Sequence, residues 1–136
     1  MSTEKTDVVD LDAFDSVIKR QNDGMPVEIK AMDGKTPLGL TITIAGPDSD
    51  FAQTAREELQ DEAVDAETFR LSPKDMDERG LRYLAKVTLA WSAPIRMGGV
   101  DLPLNEENAM AVYRKYRFIR EQIDRKANNR ALFSKG

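Results

Sequence analysis

Apolar residues recur along the chain with two periods, and the switches between them predict its elements. Residues 1–9, MSTEKTDVV, show neither period and read as a flexible arm ahead of a single domain over 10–136. Leu11, Phe14, Val17 and Ile18 then fall at helical spacing, which predicts a short helix over DLDAFDSVIKR. Asn22-Asp23-Gly24 and Pro26 end it. Next, Val27, Ile29 and Ala31 alternate with Glu28, Lys30 and Met32, and Leu40, Ile42 and Ile44 alternate with Thr41 and Thr43. Period two with β-branched residues predicts two strands, and Asp33-Gly34 supplies the turn between them. Two strands alone are marginally stable, so the apolar face of this hairpin needs helices packed on it.

The period returns to 3.6 after Gly46-Pro47. Asp48 or Ser49 is placed to cap a helix whose inner side carries Phe51, Ala55, Leu59 and Ala63. Ser72-Pro73-Lys74-Asp75 combines an N-cap serine, a first-turn proline and a first-turn acid. Behind it, Leu81, Leu84, Val87, Thr88 and Trp91 extend a helical stripe that Pro94 stops, with Gly80 leaving room for a close neighbour. A connector with Gly98-Gly99 at its turn leads to Asn105, another cap, followed by Glu106 and Glu107 at the positive helix end. Val112, Tyr116, Ile119, Ile123 and Ala127 then make a narrow stripe, which predicts one helix from Asn105 to Phe133. At 1.5 Å per residue such a rod is about 40 Å long, more than a small domain covers. The expected fold is α+β: a β-hairpin packed against about four helices, the last of them long.

Charge refines this picture at the two ends. From Asn105 onward there are eight basic and four acidic residues, which leaves 12 of the chain's 20 basic and 20 of its 24 acidic residues to the rest. The carboxylates Glu57, Glu58, Asp61 and Glu62 read as a solvated helix face, because a divalent cation needs converging oxygens. In the last helix, Arg117 with Glu121, Arg120 with Asp124 and Glu121 with Arg125 are spaced to pair along the surface. With 136 residues, 40% of them hydrophobic, the chain has enough material for one core.

The residues offer little catalytic chemistry. There is no cysteine and no histidine, so disulfides, thiolate metal sites and the commonest general base are excluded. No Ser-x-x-Lys, phosphate-loop or dinucleotide-binding motif occurs, and no cofactor is expected. The polar start predicts no signal peptide, and no run of about 18 apolar residues predicts a membrane span. A cytoplasmic, non-enzymatic protein is expected. Candidate contact residues lie in the last helix: Arg114, Arg117, Phe118, Arg125, Leu132 and Phe133. Phe118 falls off the apolar stripe beside arginines, a pairing typical of protein interfaces, and Leu132-Phe133 adds apolar surface at the end. Nucleic-acid binding through the basic residues is the competing reading, disfavoured because they wrap around the helix with acids between them.

Two stretches carry a family resemblance: MPVEIKAMDGKTPLGLTITIAGPDSDFAQTAREE and LAKVTLAWSAPIRMGGVDLPLNEENAMAVYRKYRFIREQIDRKANNRALF. In order and spacing, the sequence resembles the tail assembly chaperones of long-tailed bacteriophages. The resemblance implies binding to the tape-measure protein, solubilisation of its long helical segments and recruitment of major tail protein as the tube polymerises. It also implies action in the host cytoplasm, absence from the finished virion, and in many members a longer form made by ribosomal frameshifting. It transfers no catalytic residue. Self-association, a DNA-binding or regulatory role, and a structural tail-completion role remain open alternatives.

Overall fold

A computed structural model describes residues 8–65 and 72–134. The expected arm lies outside the described residues except for Val8 and Val9. A 3-10 turn, Leu11–Phe14, runs directly into α1 (Asp15–Asp23). The hairpin follows as β1 (Met25–Lys30) and β2 (Pro37–Ile44), antiparallel with Val27 opposite Ile42. Asp33 builds its turn: the carboxylate accepts from the backbone N–H groups of Lys35 and Thr36 and from the Thr36 hydroxyl. Those three donors, the hydroxyl first, pull the Asp33 carboxyl down to about 2.

Then come α2 (Asp50–Asp65) and α3 (Pro73–Lys86), both capped by serine. Ser49 accepts from the Ala52 N–H, and Ser72 with Asp75 forms a reciprocal capping box. Beyond Lys86 the expected helix does not continue to Trp91. Residues Thr88–Trp91 form β3, which adds to the free edge of β2, so the sheet order is β1-β2-β3. The spacing of Leu84, Thr88 and Trp91 fits a helix, but Thr-Leu-Ala-Trp is also good strand sequence. Pairing with β2 satisfies backbone groups that a longer α3 would leave unpaired on that strand. The Gly98-Gly99 connector is itself a small hairpin, β4 (Ile95–Met97) with β5 (Val100–Leu102). Both glycines have positive φ, the requirement of a two-residue hairpin turn.

The expected single C-terminal rod is three helices: α4 (Glu106–Lys115), α5 (Arg117–Ala127) and α6 (Arg130–Ser134). The first break is at Tyr116, whose φ of −110° and ψ of 84° leave the helical region. The second is at Asn128 and Asn129, residues with weak helix propensity. A straight rod would carry Ala127 and Phe133 away from the body. The breaks fold both back, and Ala127 and Phe133 end almost fully buried. Six helices, counting the short α6, thus accompany the sheet among the described residues.

The core joins Val27, Ile29, Leu40, Ile42 and Ile44 of the sheet to Leu81 and Leu84 of α3. Val112 and Tyr113 of α4 and Ile119 and Ile123 of α5 complete it. Ala52, Ala55 and Leu59 are the buried side of α2, whereas Phe51, expected there, is largely exposed. The free edge of β1 is closed by a side chain. Gln122 of α5 accepts from the Lys30 N–H at 2.8 Å and donates to its carbonyl at 2.9 Å, as a neighbouring strand would. No helix is long and apolar enough to cross a membrane among the described residues.

Candidate protein-binding surface

The break at Tyr116 organises an open apolar region. Where α4 and α5 change direction, the Tyr116 and Phe118 side chains are half-buried at the edge of the core. Their rings meet edge to face with centroids 6.3 Å apart, and Lys115 Nζ lies 5.6 Å from the Tyr116 ring centre. Opposite them stand the tip of the β1–β2 hairpin and the β4–β5 hairpin. Between these three walls lies a groove of about 440 Å³ lined by Met32, Leu38, Ile95, Met97, Tyr116 and Phe118, with Val112 and Ile119 at its floor. Met32 is 77% exposed and Leu38 45%, because the hairpin tip extends past the helices that cover its base.

Phe118 is a partition. On its other side is a second hollow of about 350 Å³, lined by Val27, Lys30, Met32, Gln122, Arg125 and Lys126. One hollow is therefore largely apolar, and its neighbour has a charged rim in which Glu28 and Glu121 stand beside Lys30, Arg125 and Lys126. Among the described residues, Arg117, Arg125 and Lys126 have no carboxylate partner, although the sequence spacing predicts pairs along the helix. Other basic side chains instead reach across to different elements. Arg114 meets Glu78 and Arg120 meets Asp77 on α3, while Arg130 meets Asp48 in the loop before α2. The same happens on the acidic face of α2, where Glu58 pairs with Lys86 and Glu62 with Arg82 of α3.

The six sequence-predicted contact residues are thus divided. Phe118 and Arg125 come together at the second hollow, and Arg117 is exposed at the start of α5. Arg114 is exposed but committed to Glu78. Leu132 is half-buried against the core on α6. Phe133, expected at an exposed end, is 2% exposed, and its carbonyl accepts from Arg20 at 3.0 Å. It is a core residue because α6 turns back onto α1. Met32, Leu38, Ile95 and Met97 were not among the candidates. Met32 sits on the polar side of the strand alternation, an apolar residue out of phase, and that mismatch was its available signal.

A further hollow of about 590 Å³ lies between α2, α3 and the start of α4, with Phe51 at its edge. Lys86 bridges Glu58 and Glu106 there. Burial opposes its charge, but the two carboxylates together outweigh it and hold the ammonium above its usual range. Its central charges are already paired, so that hollow is held together from within. No group of three or more Asp or Glu is arranged to hold a metal ion among the described residues. In comparisons with known proteins, no family model, curated sequence or solved structure matches the chain.

Proposed function

We propose that the protein is a tail assembly chaperone of a long-tailed bacteriophage, acting in the host cytoplasm. In this reading the groove around Phe118 holds the apolar face of a helical segment of the tape-measure protein. The observation that carries it is the combination of exposed Met32 and Leu38 walls with Arg125 and Lys126 at the adjoining hollow, which have no carboxylate partner among the described residues. A long helical client exposes apolar surface until its tube closes around it. An apolar groove with Arg125 and Lys126 beyond its Phe118 wall takes such a helix apolar side down and offers those cations to its acidic residues. Recruitment of major tail protein then follows once the client is held, through surfaces outside the groove. The DNA-binding reading is weakened by the commitment of Arg114, Arg120 and Arg130 to carboxylates on other elements.

Co-expression with a tape-measure protein from the same genome tests the proposal. Soluble, co-purifying tape-measure protein is the expected outcome with the natural chain. Met32→Glu, at a site too exposed to disturb the fold, is expected to return most of the client to the insoluble fraction. Unchanged client solubility with Met32→Glu and Phe118→Ser would remove the groove from the function. Finding the chain in purified virions would favour a tail-completion role instead.

A further inference from the structure

The first and last helices are fastened to the body at one carboxylate. Asp48 stands in the loop between β2 and α2, and that loop is fixed from within. The Ala45 N–H donates to the Val87 carbonyl, and the buried Ser49 hydroxyl donates to the Gly46 carbonyl. From α6, Arg130 sets its fork on Asp48, with Nε on Oδ2 and Nη2 on Oδ1. From α1, the Gln21 amide donates to the same Oδ2 at 3.2 Å and accepts from the Asp48 N–H. A second link joins the two helices directly, since Arg20 Nη1 donates to the Phe133 carbonyl at 3.0 Å.

Polar bonds dominate the attachment of α1. Its one buried side chain is Gln21, 1% exposed, and none of its apolar residues belongs to the core. Leu11 and Phe14 just ahead of it, and Ile18 within it, are exposed. A buried amide stays in place only while its partners do, and Gln21 shares Oδ2 with Arg130. The last helix depends on the first in turn. Five residues are too few to hold a helix alone, and α6 follows the break at Asn128 and Asn129. Its anchors are Arg130 on Asp48 and the buried Phe133, whose carbonyl Arg20 of α1 holds.

We infer that α1 and α6 form one latch closed on Asp48, which opens and closes as a unit while β1, β2 and α4 stay folded. Cooperative local opening of this kind costs less than global unfolding. The coupling is reciprocal: whatever loosens the last helix loosens the first, and the converse. An event at the C-terminal end therefore sets how freely the segment bearing Leu11, Phe14 and Ile18 moves. This goes beyond the client-binding reading and does not depend on it, because Arg20, Gln21, Asp48, Arg130 and Phe133 line neither hollow beside Phe118.

Hydrogen exchange of the full chain, read by mass spectrometry without any tape-measure protein, tests the latch. Arg130→Gln alters a side chain that is 68% exposed, so the fold is not at risk. The amides of α6 are expected to exchange about three- to fivefold faster, the range for an exposed ion pair. Those of α1 are expected to accelerate by a comparable factor, with β1, β2 and α4 unchanged. The converse variant, Gln21→Ala, is expected to speed α6 as well as α1, by about tenfold because a buried amide is lost. Acceleration of α6 alone in Arg130→Gln, or of α1 alone in Gln21→Ala, overturns the inference, since the two helices then open independently. So does acceleration spread evenly over β1, β2 and α4, or none at all. Should Gln21→Ala fail to fold, the α1 amides of Arg130→Gln decide the matter.

Discussion

The most deeply buried hydroxyl pair of the core gives the sharpest quantitative prediction. Tyr113 is fully buried, and its hydroxyl lies 2.7 Å from that of Thr88, the first residue of β3. The Thr88 hydroxyl also lies 2.7 Å from the Leu84 carbonyl in the last turn of α3. A carbonyl only accepts, so the one proton of Thr88 goes to Leu84 and Tyr113 must be the donor to Thr88. The two substitutions are therefore unequal. Tyr113→Phe removes a donor from an oxygen that keeps its other bond, at about 1 kcal/mol. Thr88→Val strands the buried phenol and frees the Leu84 carbonyl, at about 2–3 kcal/mol. Once the phenol is gone, Thr88→Val has less to break, so the double variant should lose about 1 kcal/mol less than the sum. Urea unfolding followed by the fluorescence of Trp91, the chain's single tryptophan, measures all four proteins. Burial pushes the Tyr113 phenol up to about 12 from 10.0. Its folded value lies above its unfolded one, so this stabilisation is complete below pH 10 and is lost as pH rises from 10 towards 12. Relative to Tyr113→Phe, the natural chain should lose on the order of 2–3 kcal/mol across that window. Strict additivity, or Thr88→Val costing less than Tyr113→Phe, would refute the assigned proton direction.

Two glycines should respond with opposite signs. A Cβ on Gly46 would meet Gln21 side-chain atoms at 2.5–2.7 Å, so Gly46→Ala should destabilise by about 1–3 kcal/mol. At Gly80, inside α3, the nearest atom is Arg120 Nη2 at 3.5 Å, and Gly80→Ala should raise stability by about 0.5–1 kcal/mol. Thermal unfolding separates the two. Gln122→Leu should remove the cover from the edge of β1 at a cost of about 1–2 kcal/mol, with hydrogen exchange of the Lys30 amide accelerated most. Arg130 holds the Asp48 carboxyl below its usual value, so the anchorage of α6 is present above pH 4 and is lost as pH falls below that range. Limited proteolysis after Arg125 or Arg130 should therefore become faster in Asp48→Asn at neutral pH.

Local chemistry was readable wherever it decides structure by itself. The Asp33-Gly34 turn, the alternation of β1 and β2, and the caps at Ser72 and Asn105 involve neighbours in sequence, and all are present. Elements set by distant partners were not readable. Thr88–Trp91 becomes a strand because β2, more than 40 residues earlier, has an edge to fill. Tyr116 and Asn128 interrupt a helix whose spacing allowed continuation, because Ala127 and Phe133 gain more from burial than the missing turns cost. The same rearrangement decided the candidate surface. Phe118 was visible as an aromatic out of phase with its stripe, but the groove beside it exists only because two hairpins stand across from the break. Phe133 was assigned to the surface because a straight helix would have left it there. On α1 the spacing of Leu11, Phe14 and Ile18 was read correctly as helical; its direction depended on Gln21 meeting Asp48, which no local pattern encodes.

Site-specific photo-cross-linking to the tape-measure protein tests the central claim most directly. A benzophenone side chain at position 32 sits on the exposed wall of the groove, and one at position 51 sits at the edge of the hollow beside α2. The account predicts strong cross-links from position 32 and weak ones from position 51, with Phe118→Ser abolishing the former. Equal cross-linking from both positions, or cross-linking from position 51 alone, would contradict it.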